Sequence, residues 1–150
     1  MTVFHDPLRA GRPSDAARHA ATEILAGPHL AVLSTVNPDG APQSSVIFVK
    51  PDGDDILFST INGRRKTTNM RRDPRVTLLL HALPDAEAES AYATISGTVT
   101  ITDDPDSSFH QVMYDLHMDG AIPPAEPGAE RLIVRLSPDR TYAPPPYIAE

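Results

Sequence analysis

The stretch STINGRRKTTNMRRDPR, residues 59 to 75, concentrates the positive charge of an otherwise acidic sequence. Six of the 13 lysine and arginine residues fall within it, although the formal net charge of the chain is −7. The apolar run 56–58 before it predicts a buried strand, and Asn62-Gly63 predicts a turn. Residues 64–72 predict a short helix that ends at Asp73-Pro74, because proline disfavours helical backbone in the residue before it.

This predicted strand, turn and helix start would bring three kinds of anion ligand to one point. Ser59 and Thr60 supply hydroxyls, Arg64 to Lys66 supply cations, and the first turn of a helix supplies free backbone N–H groups. Together they indicate a phosphate site. The alternative is an arginine-rich helix with a solvated face, and the spacing of the charges alone does not decide between the two.

Composition excludes several classes of function. The 150 residues predict one domain with a core of its own, and the absence of cysteine excludes disulfides and thiolate chemistry. No apolar stretch is long enough to span a membrane and no signal peptide is evident, so we expect a cytoplasmic protein. The negative charge argues against general nucleic-acid binding, and the histidines show no metal spacing, so we expect neither a nucleic-acid partner nor a metal.

The remainder of the chain alternates short apolar runs with strong turns. A helix is expected from Ser14 to Leu25, and Asn37-Pro38-Asp39-Gly40 predicts a tight turn between two strands. Strands are expected at 30–36, 43–50, 55–60, 76–81, 92–101 and 132–136, with a bulge at Gly97, and a further helix is expected from a cap at 103–105 to Leu116. We therefore predict a mainly β (α+β) fold, a six-stranded antiparallel β-barrel with flanking helices. Within the single domain, residues 1–13 would be an arm, 14–137 the barrel and helices, and 138–150 a proline-rich tail.

Several of these motifs, taken in order, carry a family resemblance. They are the turn 37–40, the strand ending in Lys50, the block from Leu57 to Asn69, the sequence Asp73-Pro74-Arg75-Val76, and the strand 95–99. This succession resembles the pyridoxamine 5'-phosphate oxidase-like split-barrel flavoprotein superfamily, and more closely its actinobacterial deazaflavin branch, whose enzymes use coenzyme F420. The resemblance covers residues 18 to 137 and is most specific between 58 and 76.

The resemblance implies a set of cofactor-binding residues. Ser59, Thr60, Arg65 and Lys66 would hold the cofactor phosphate, with Arg64 nearby, and Thr77 and Leu78 would offer backbone contacts. The full implied set is Val46, Ile47, Phe48, Lys50, Ser59, Thr60, Gly63, Arg64, Arg65, Lys66, Asn69, Thr77 and Leu78. We further hypothesise that Arg71, Arg72 and Arg75 attract the anionic tail of F420.

One departure from the family pattern bears on the cofactor. FMN-binding pyridoxamine phosphate oxidases begin the second strand motif with an arginine, whereas this sequence has Ser45. That difference favours coenzyme F420 over FMN, which remains the alternative. The implied activity is hydride transfer between the deazaflavin and an electrophilic small molecule, such as an activated C=C bond or a quinone-like compound. No catalytic residue is assigned, although His81, His110, His117 and Tyr114 are candidate proton donors.

Two expectations about partners follow from the same resemblance. Members are typically homodimers with the cofactor between the subunits, so we expect a second chain to complete the substrate pocket through its 105–128 region or its 142–147 tail. The rival functions are an FMN-dependent oxidoreductase and a non-catalytic carrier of F420 or flavin.

Overall fold

The computed structural model describes residues 15–26, 29–82 and 90–144. The predicted arm 1–13 and the predicted helix start Ser14 lie outside the described residues, as do residues 83–89 and the chain end 145–150. In chain order the elements are α1 (Asp15–Ile24), β1 (His29–Val36), β2 (Pro42–Asp52), β3 (Asp55–Ile61), α2 (Arg65–Arg72), β4 (Arg75–His81), β5 (Tyr92–Asp103), α3 (Ser108–His117) and β6 (Arg131–Tyr142).

The six strands form a closed antiparallel barrel, which confirms the predicted fold class. Their order around the barrel is β1-β2-β3-β6-β5-β4, and β4 pairs with β1 to close it. Alternate residues point inward, and the fully buried side chains among them include Leu33, Phe58, Leu78, Leu80 and Val134. The side chains between them face outward, where the helices and any ligand can contact them.

The turn between β1 and β2 forms as predicted. The backbone N–H of Gly40 donates to the carbonyl of Asn37 at 2.9 Å, and Asn37 N–H donates to Ala41 at 2.8 Å. Gly40 has a φ of 86°, a left-handed conformation that glycine adopts without steric cost.

The predicted bulge at Gly97 is confirmed, and it accounts for an error at the chain end. The register between β5 and β6 shifts between Ser96 and Gly97, where Gly97 faces Pro138. Proline is tolerated in a sheet at such a bulge because the ladder is already interrupted there. Strand β6 therefore continues through Pro138 to Tyr142, and the prediction of a tail beginning at residue 138 was wrong for 138–142.

Three helices flank the barrel. The buried alanines of α1 pack against β4, β5 and β6, as expected for a helix laid over the barrel. Helix α3 begins at Ser108, later than predicted, but the carboxylate of Asp104 still caps it by accepting hydrogen bonds from the N–H groups of Phe109 (3.2 Å) and His110 (3.1 Å). Among the described residues, no helix is long and apolar enough to cross a bilayer.

Candidate functional site

Helix α2 is fixed to the barrel by two buried polar contacts. Thr67 Oγ1 donates to the carbonyl of Ile61 at 2.8 Å and lies 2.9 Å from Thr60 Oγ1. Two residues later, Asn69 Nδ2 donates to Thr35 Oγ1 and Asn37 Oδ1, both at 3.0 Å. These bonds hold the start of the helix beside the end of β3, which is where the sequence predicted the anion site.

A cavity of about 250 Å³ lies between the start of α2, the outer face of β2 and β3, and helix α3. Its lining residues are Leu30, Val46, Ile47, Phe48, Ser59, Thr60, Ile61, Arg64, Lys66, His110, Met113, Tyr114 and Arg131. We call this the α2 cavity. None of these described residues is acidic, whereas three carry a full positive charge.

The cations of the α2 cavity are incompletely neutralised. The side chains of Arg64 and Lys66 form no ion pair within the described chain, while Arg131 pairs with Glu126 at 2.6 Å. Burial lowers the pKa of Lys66, and the neighbouring charge of Arg64 lowers it further. Two adjacent cations without a counter-ion create a site that favours a bound anion.

Neutral donors reinforce this charge. Ser59 Oγ is buried and has no hydrogen-bond partner among the described residues, whereas buried polar atoms are normally satisfied. No side chain caps α2 and no acid lies in its first turn, so the N–H groups of that turn remain available to an anion. A hydroxyl, a helix start and two cations therefore converge on one cavity.

The structure brings together about half of the predicted cofactor-binding residues. Those that line the α2 cavity are Val46, Ile47, Phe48, Ser59, Thr60, Arg64 and Lys66. Those that do not line it are Lys50, Gly63, Arg65, Asn69, Thr77 and Leu78. Gly63 forms the turn before α2 with a φ of 89°, Arg65 is exposed, and Leu78 is buried in the barrel core.

Two of the three arginines expected to attract an anionic tail have other partners. Arg72 donates to the carbonyl of Val36 and to Asn69 Oδ1, which ties α2 to β1. Arg75 binds Asp73 through two bonds of 2.9 and 2.8 Å. That contact lowers the pKa of the Asp73 carboxyl to about 2. Only Arg71 of the three has no such bond to a described residue.

Six cavity residues were not predicted as binding residues: Leu30, Ile61, His110, Met113, Tyr114 and Arg131. Arg131 enters because β6 pairs with β3, which sets it opposite Ile61. The α3 residues enter because that helix packs across β2 and β3. Helical spacing of Phe109, Val112, Met113 and Leu116 predicted α3, but of these only Met113 is fully buried.

Three of the four candidate proton donors lie in or beside the cavity, whereas His81, at the end of β4, does not line it. His110 and Tyr114 line it, with ring centroids 4.9 Å apart in an edge-to-face arrangement. His117 does not line it but stacks on Phe48, which does, with centroids 4.6 Å apart. Burial lowers the pKa of both His110 and His117, so both are mainly neutral at pH 7. No group of three or more possible metal ligands occurs in the described part of the chain.

Comparison with known proteins identifies the family. The profile of the family described as pyridoxamine 5'-phosphate oxidase matches residues 17–143. The chain belongs to this family. Most members of this family are oxidoreductases that depend on a flavin or on F420, and some are haem-binding or of unknown function.

Solved structures of similar proteins support the same assignment. One described as an F420 reductase is 28% identical, with 81% of this chain and 94% of that chain covered and a TM-score of 0.72. A conserved hypothetical protein from Mycobacterium tuberculosis is 21% identical, with 95% of both chains covered and a TM-score of 0.65. General Stress Protein 26 from Bacillus anthracis is 22% identical, with 89% and 97% covered and a TM-score of 0.63. The last two demonstrate the shared fold.

Proposed function

We propose that this protein is an F420-dependent oxidoreductase that transfers a hydride between the deazaflavin and an electrophilic small molecule, such as an activated C=C bond or a quinone-like compound. The observation that carries the proposal is the α2 cavity, where Arg64 and Lys66 lack counter-ions and Ser59 Oγ lacks a partner. The 28% identity to an F420 reductase supports the choice of deazaflavin over FMN.

The residues present fit a phosphate-bearing cofactor. An unpartnered buried hydroxyl, two cations and an uncapped helix start are the donors that a phosphate group requires. Arg64, Lys66 and Ser59 would hold the phosphate. The apolar side chains of Val46 and Phe48, on the outer face of β2, would contact the ring system.

When bound, a deazaflavin supplies hydride transfer at its ring. The protein's own contribution is binding, orientation and exclusion of water. Met113 and Tyr114 of α3 cover the cavity from one side and limit the access of water. His110, whose buried Nε2 has no partner among the described residues, is positioned to hold or accept a proton inside the cavity.

We extend the proposal to a homodimer with the cofactor between subunits. Val46, Val32 and Leu79 are neighbours across β2, β1 and β4, and all three point outward. Val46 is 64% exposed and Leu79 is 37% exposed. Val46 also lines the α2 cavity, so a second subunit packed on this apolar row would also lie against the cavity. Contiguous exposed apolar surface of this kind favours protein association.

The test is equilibrium binding of F420 and of FMN to the protein, followed by fluorescence, with Lys66→Ala, Arg64→Ala and Arg65→Ala. We expect F420 to bind more tightly than FMN, and we expect Lys66→Ala and Arg64→Ala each to weaken F420 binding by roughly tenfold or more, since each removes a charge-assisted bond. Arg140→Ala is the matched control, because it removes the same charge from an exposed position of β6 that does not line the α2 cavity.

Each other outcome has a definite meaning. Tighter binding of FMN would make the protein a flavin-dependent oxidoreductase. Tight F420 binding without turnover of any electrophile would favour the carrier. If neither cofactor binds, or if Arg140→Ala weakens binding as much as Lys66→Ala does, the proposal is wrong. Arg65 belongs to the residue set implied by the family resemblance but does not line the α2 cavity. Weaker F420 binding in Arg65→Ala would therefore support the residue set from the resemblance, and unchanged binding would support the cavity.

A further inference from the structure

Arg131 is the third cation of the α2 cavity and lies on its boundary with a second cavity. It begins β6 opposite Ile61, and its side chain is only 12% exposed. The second cavity, of about 470 Å³, lies between the start of α3 and the segment 121–129, and it shares both Arg131 and His110 with the first. An anion in the α2 cavity is therefore close to Arg131.

In contrast to Arg64 and Lys66, Arg131 has a partner from its own chain. Its Nη2 donates to Glu126 Oε2 at 2.6 Å. Glu126 belongs to the proline-rich loop 119–129. The other hydrogen bonds of this loop in the described structure lie at its start, where the Tyr114 carbonyl accepts from Gly120 N–H at 3.2 Å and Gln111 Nε2 donates to the Ala121 carbonyl at 3.3 Å, and in short turns. The Glu126 carboxylate is itself 36% exposed, so solvent screens the pair and its net strength is modest.

We propose that the Glu126 carboxylate competes with ligands for Arg131, and that a ligand with two anionic groups displaces it and uses Arg131 as a third cation. The inference rests on the proposed anion site at α2. One phosphate can be matched by Arg64 and Lys66 together with Ser59. A second anionic group has no unpaired cation left among the lining residues, and so it must take Arg131 from Glu126. Glu126 would thus set the preference of the site between singly and multiply charged ligands.

When an anionic group of the ligand replaces Glu126, Arg131 still has one anionic partner. A carboxylate that is one-third exposed loses little when it returns to water, because water solvates it well. An anionic group held inside the cavity by three cations and a helix start gains more than it loses. The proline-rich loop is released from Arg131 in the same step, so ligand binding and loop position are coupled.

The experiment measures binding of inorganic pyrophosphate and of inorganic phosphate by calorimetry, in low salt. The variants are Glu126→Gln, Arg131→Met and the double variant. Glu130→Gln is the matched control. It removes the same charge from a nearby position, but the Glu130 carboxylate accepts a hydrogen bond from Asn62 at 3.0 Å instead of pairing with Arg131. Thermal unfolding of each variant verifies the fold.

We expect Glu126→Gln to tighten pyrophosphate binding roughly two- to fivefold, the effect expected from a partly exposed ion pair. Phosphate affinity should change less, and Glu130→Gln should have little effect on either ligand. Arg131→Met should weaken pyrophosphate binding by roughly tenfold, and in the Arg131→Met background Glu126→Gln should have no further effect. A second readout is the NMR titration of His110, whose pKa is lowered by burial and by the charge of Arg131 and raised by the charge of Glu126. Glu126→Gln should lower that pKa, because it removes a negative charge that raises it, and Glu130→Gln should leave it unchanged.

The inference is overturned if Glu126→Gln and Glu130→Gln change pyrophosphate affinity equally, or if Arg131→Met does not change it. Its failure is distinct from failure of the proposed function. Pyrophosphate binding that depends on Lys66 but not on Arg131 or Glu126 leaves the anion site in place and removes only the competition. The predicted pattern with pyrophosphate, together with no binding of F420 or FMN, would remove the proposed function and leave the competition standing. If neither the wild type nor any variant binds pyrophosphate, this inference is wrong.

Discussion

Asn69 illustrates how a residue of a binding motif can serve the fold. Its side chain is 1% exposed, and it donates to Thr35 and Asn37 of the β1 end while its Oδ1 faces Arg72 at 3.4 Å. These contacts leave the amide facing the barrel and not the α2 cavity. Family resemblance implies a role in cofactor binding. The contacts indicate that Asn69 acts indirectly, by holding α2 in place.

We therefore expect Asn69→Ala to destabilise the protein by about 1–3 kcal/mol, because it leaves the buried Thr35 hydroxyl with one bond fewer and breaks the tie between α2 and β1. Urea unfolding measures the change. Thr68→Ala, one residue earlier and exposed, is the control and should stay within about 0.5 kcal/mol of the wild type. An Asn69→Ala protein with unchanged stability that no longer binds cofactor would instead support a direct contact.

Gly97 has a purely steric requirement at the bulge. A Cβ atom added there would lie 2.1 Å from the carbonyl oxygen of Ser137 and 2.9 Å from its carbonyl carbon. Both are backbone atoms that cannot rotate away, so β5 and β6 would have to separate locally. We expect Gly97→Ala to cost about 1–3 kcal/mol or more in unfolding free energy. Thr98→Ala, at the exposed next position, should unfold close to the wild type, and equal stability of the two variants would contradict the steric argument.

At the scale of elements, local patterns predicted the strands well but not the contacts between distant parts. The turn 37–40, the helix stop at Asp73-Pro74 and the bulge at Gly97 are encoded within a few residues, and all three are found. The extension of β6 past Pro138 depends on β5, because a proline within β6 is acceptable only beside the bulge that β5 forms at Gly97. Arg131 likewise reaches the α2 cavity only through its pairing with β3. No pattern around residue 131 carries that information.

Helix α3 gives the protein a predicted sensitivity to acid. Its last residue, His117, lies between the Phe48 ring and the Val49 backbone of β2, with His29 of β1 nearby. Burial, the largest effect, lowers the pKa of His117 from its ordinary value of 6.5, and the positive charge that His29 can carry lowers it further, while the Val49 backbone raises it. Burial lowers the pKa of His29 as well.

Because these pKa values are lower in the folded protein, the unfolded chain binds more protons just below pH 6.5. Stability from this source is present above that pH and is lost as the pH falls below it. We expect the urea midpoint to drop between about pH 7.5 and about pH 5.5. In His117→Phe, which keeps an aromatic ring against Phe48, the drop should be smaller.

The control for this prediction is Leu116→Phe, since Leu116 is 44% exposed on the same helix and the change adds an aromatic ring without removing a titratable group. It should show the same pH dependence as the wild type. Asp73 and Asp106, whose carboxyl pKa values are lowered by hydrogen bonds from Arg75 and Ser108, lose their contributions only at lower pH. If the urea midpoint falls equally in His117→Phe and in the wild type, the protonation of His117 does not control the loss of stability in acid.

For the whole molecule, the decisive question is whether the outward apolar row on β1, β2 and β4 is covered by a second subunit. Leu79 tests this without disturbing the cavity, because it lies on that row but does not line the α2 cavity. A charge placed there would be desolvated in an interface and would oppose association. We expect the wild type to have the mass of a dimer by light scattering, and we expect Leu79→Glu to be monomeric.

If the partner completes the cofactor site, the monomeric Leu79→Glu variant should also bind F420 roughly tenfold more weakly, although every cavity residue of its own chain is intact. Thr102→Glu introduces the same charge on an exposed position of β5, next to β6 instead of β1, and it should remain dimeric with unchanged affinity. A monomeric Leu79→Glu that binds as tightly as the wild type would separate dimerisation from cofactor binding and confine the site to one subunit. A wild type that is monomeric at the concentrations where it binds F420 would remove the need for a partner, and the apolar row would then require a different occupant.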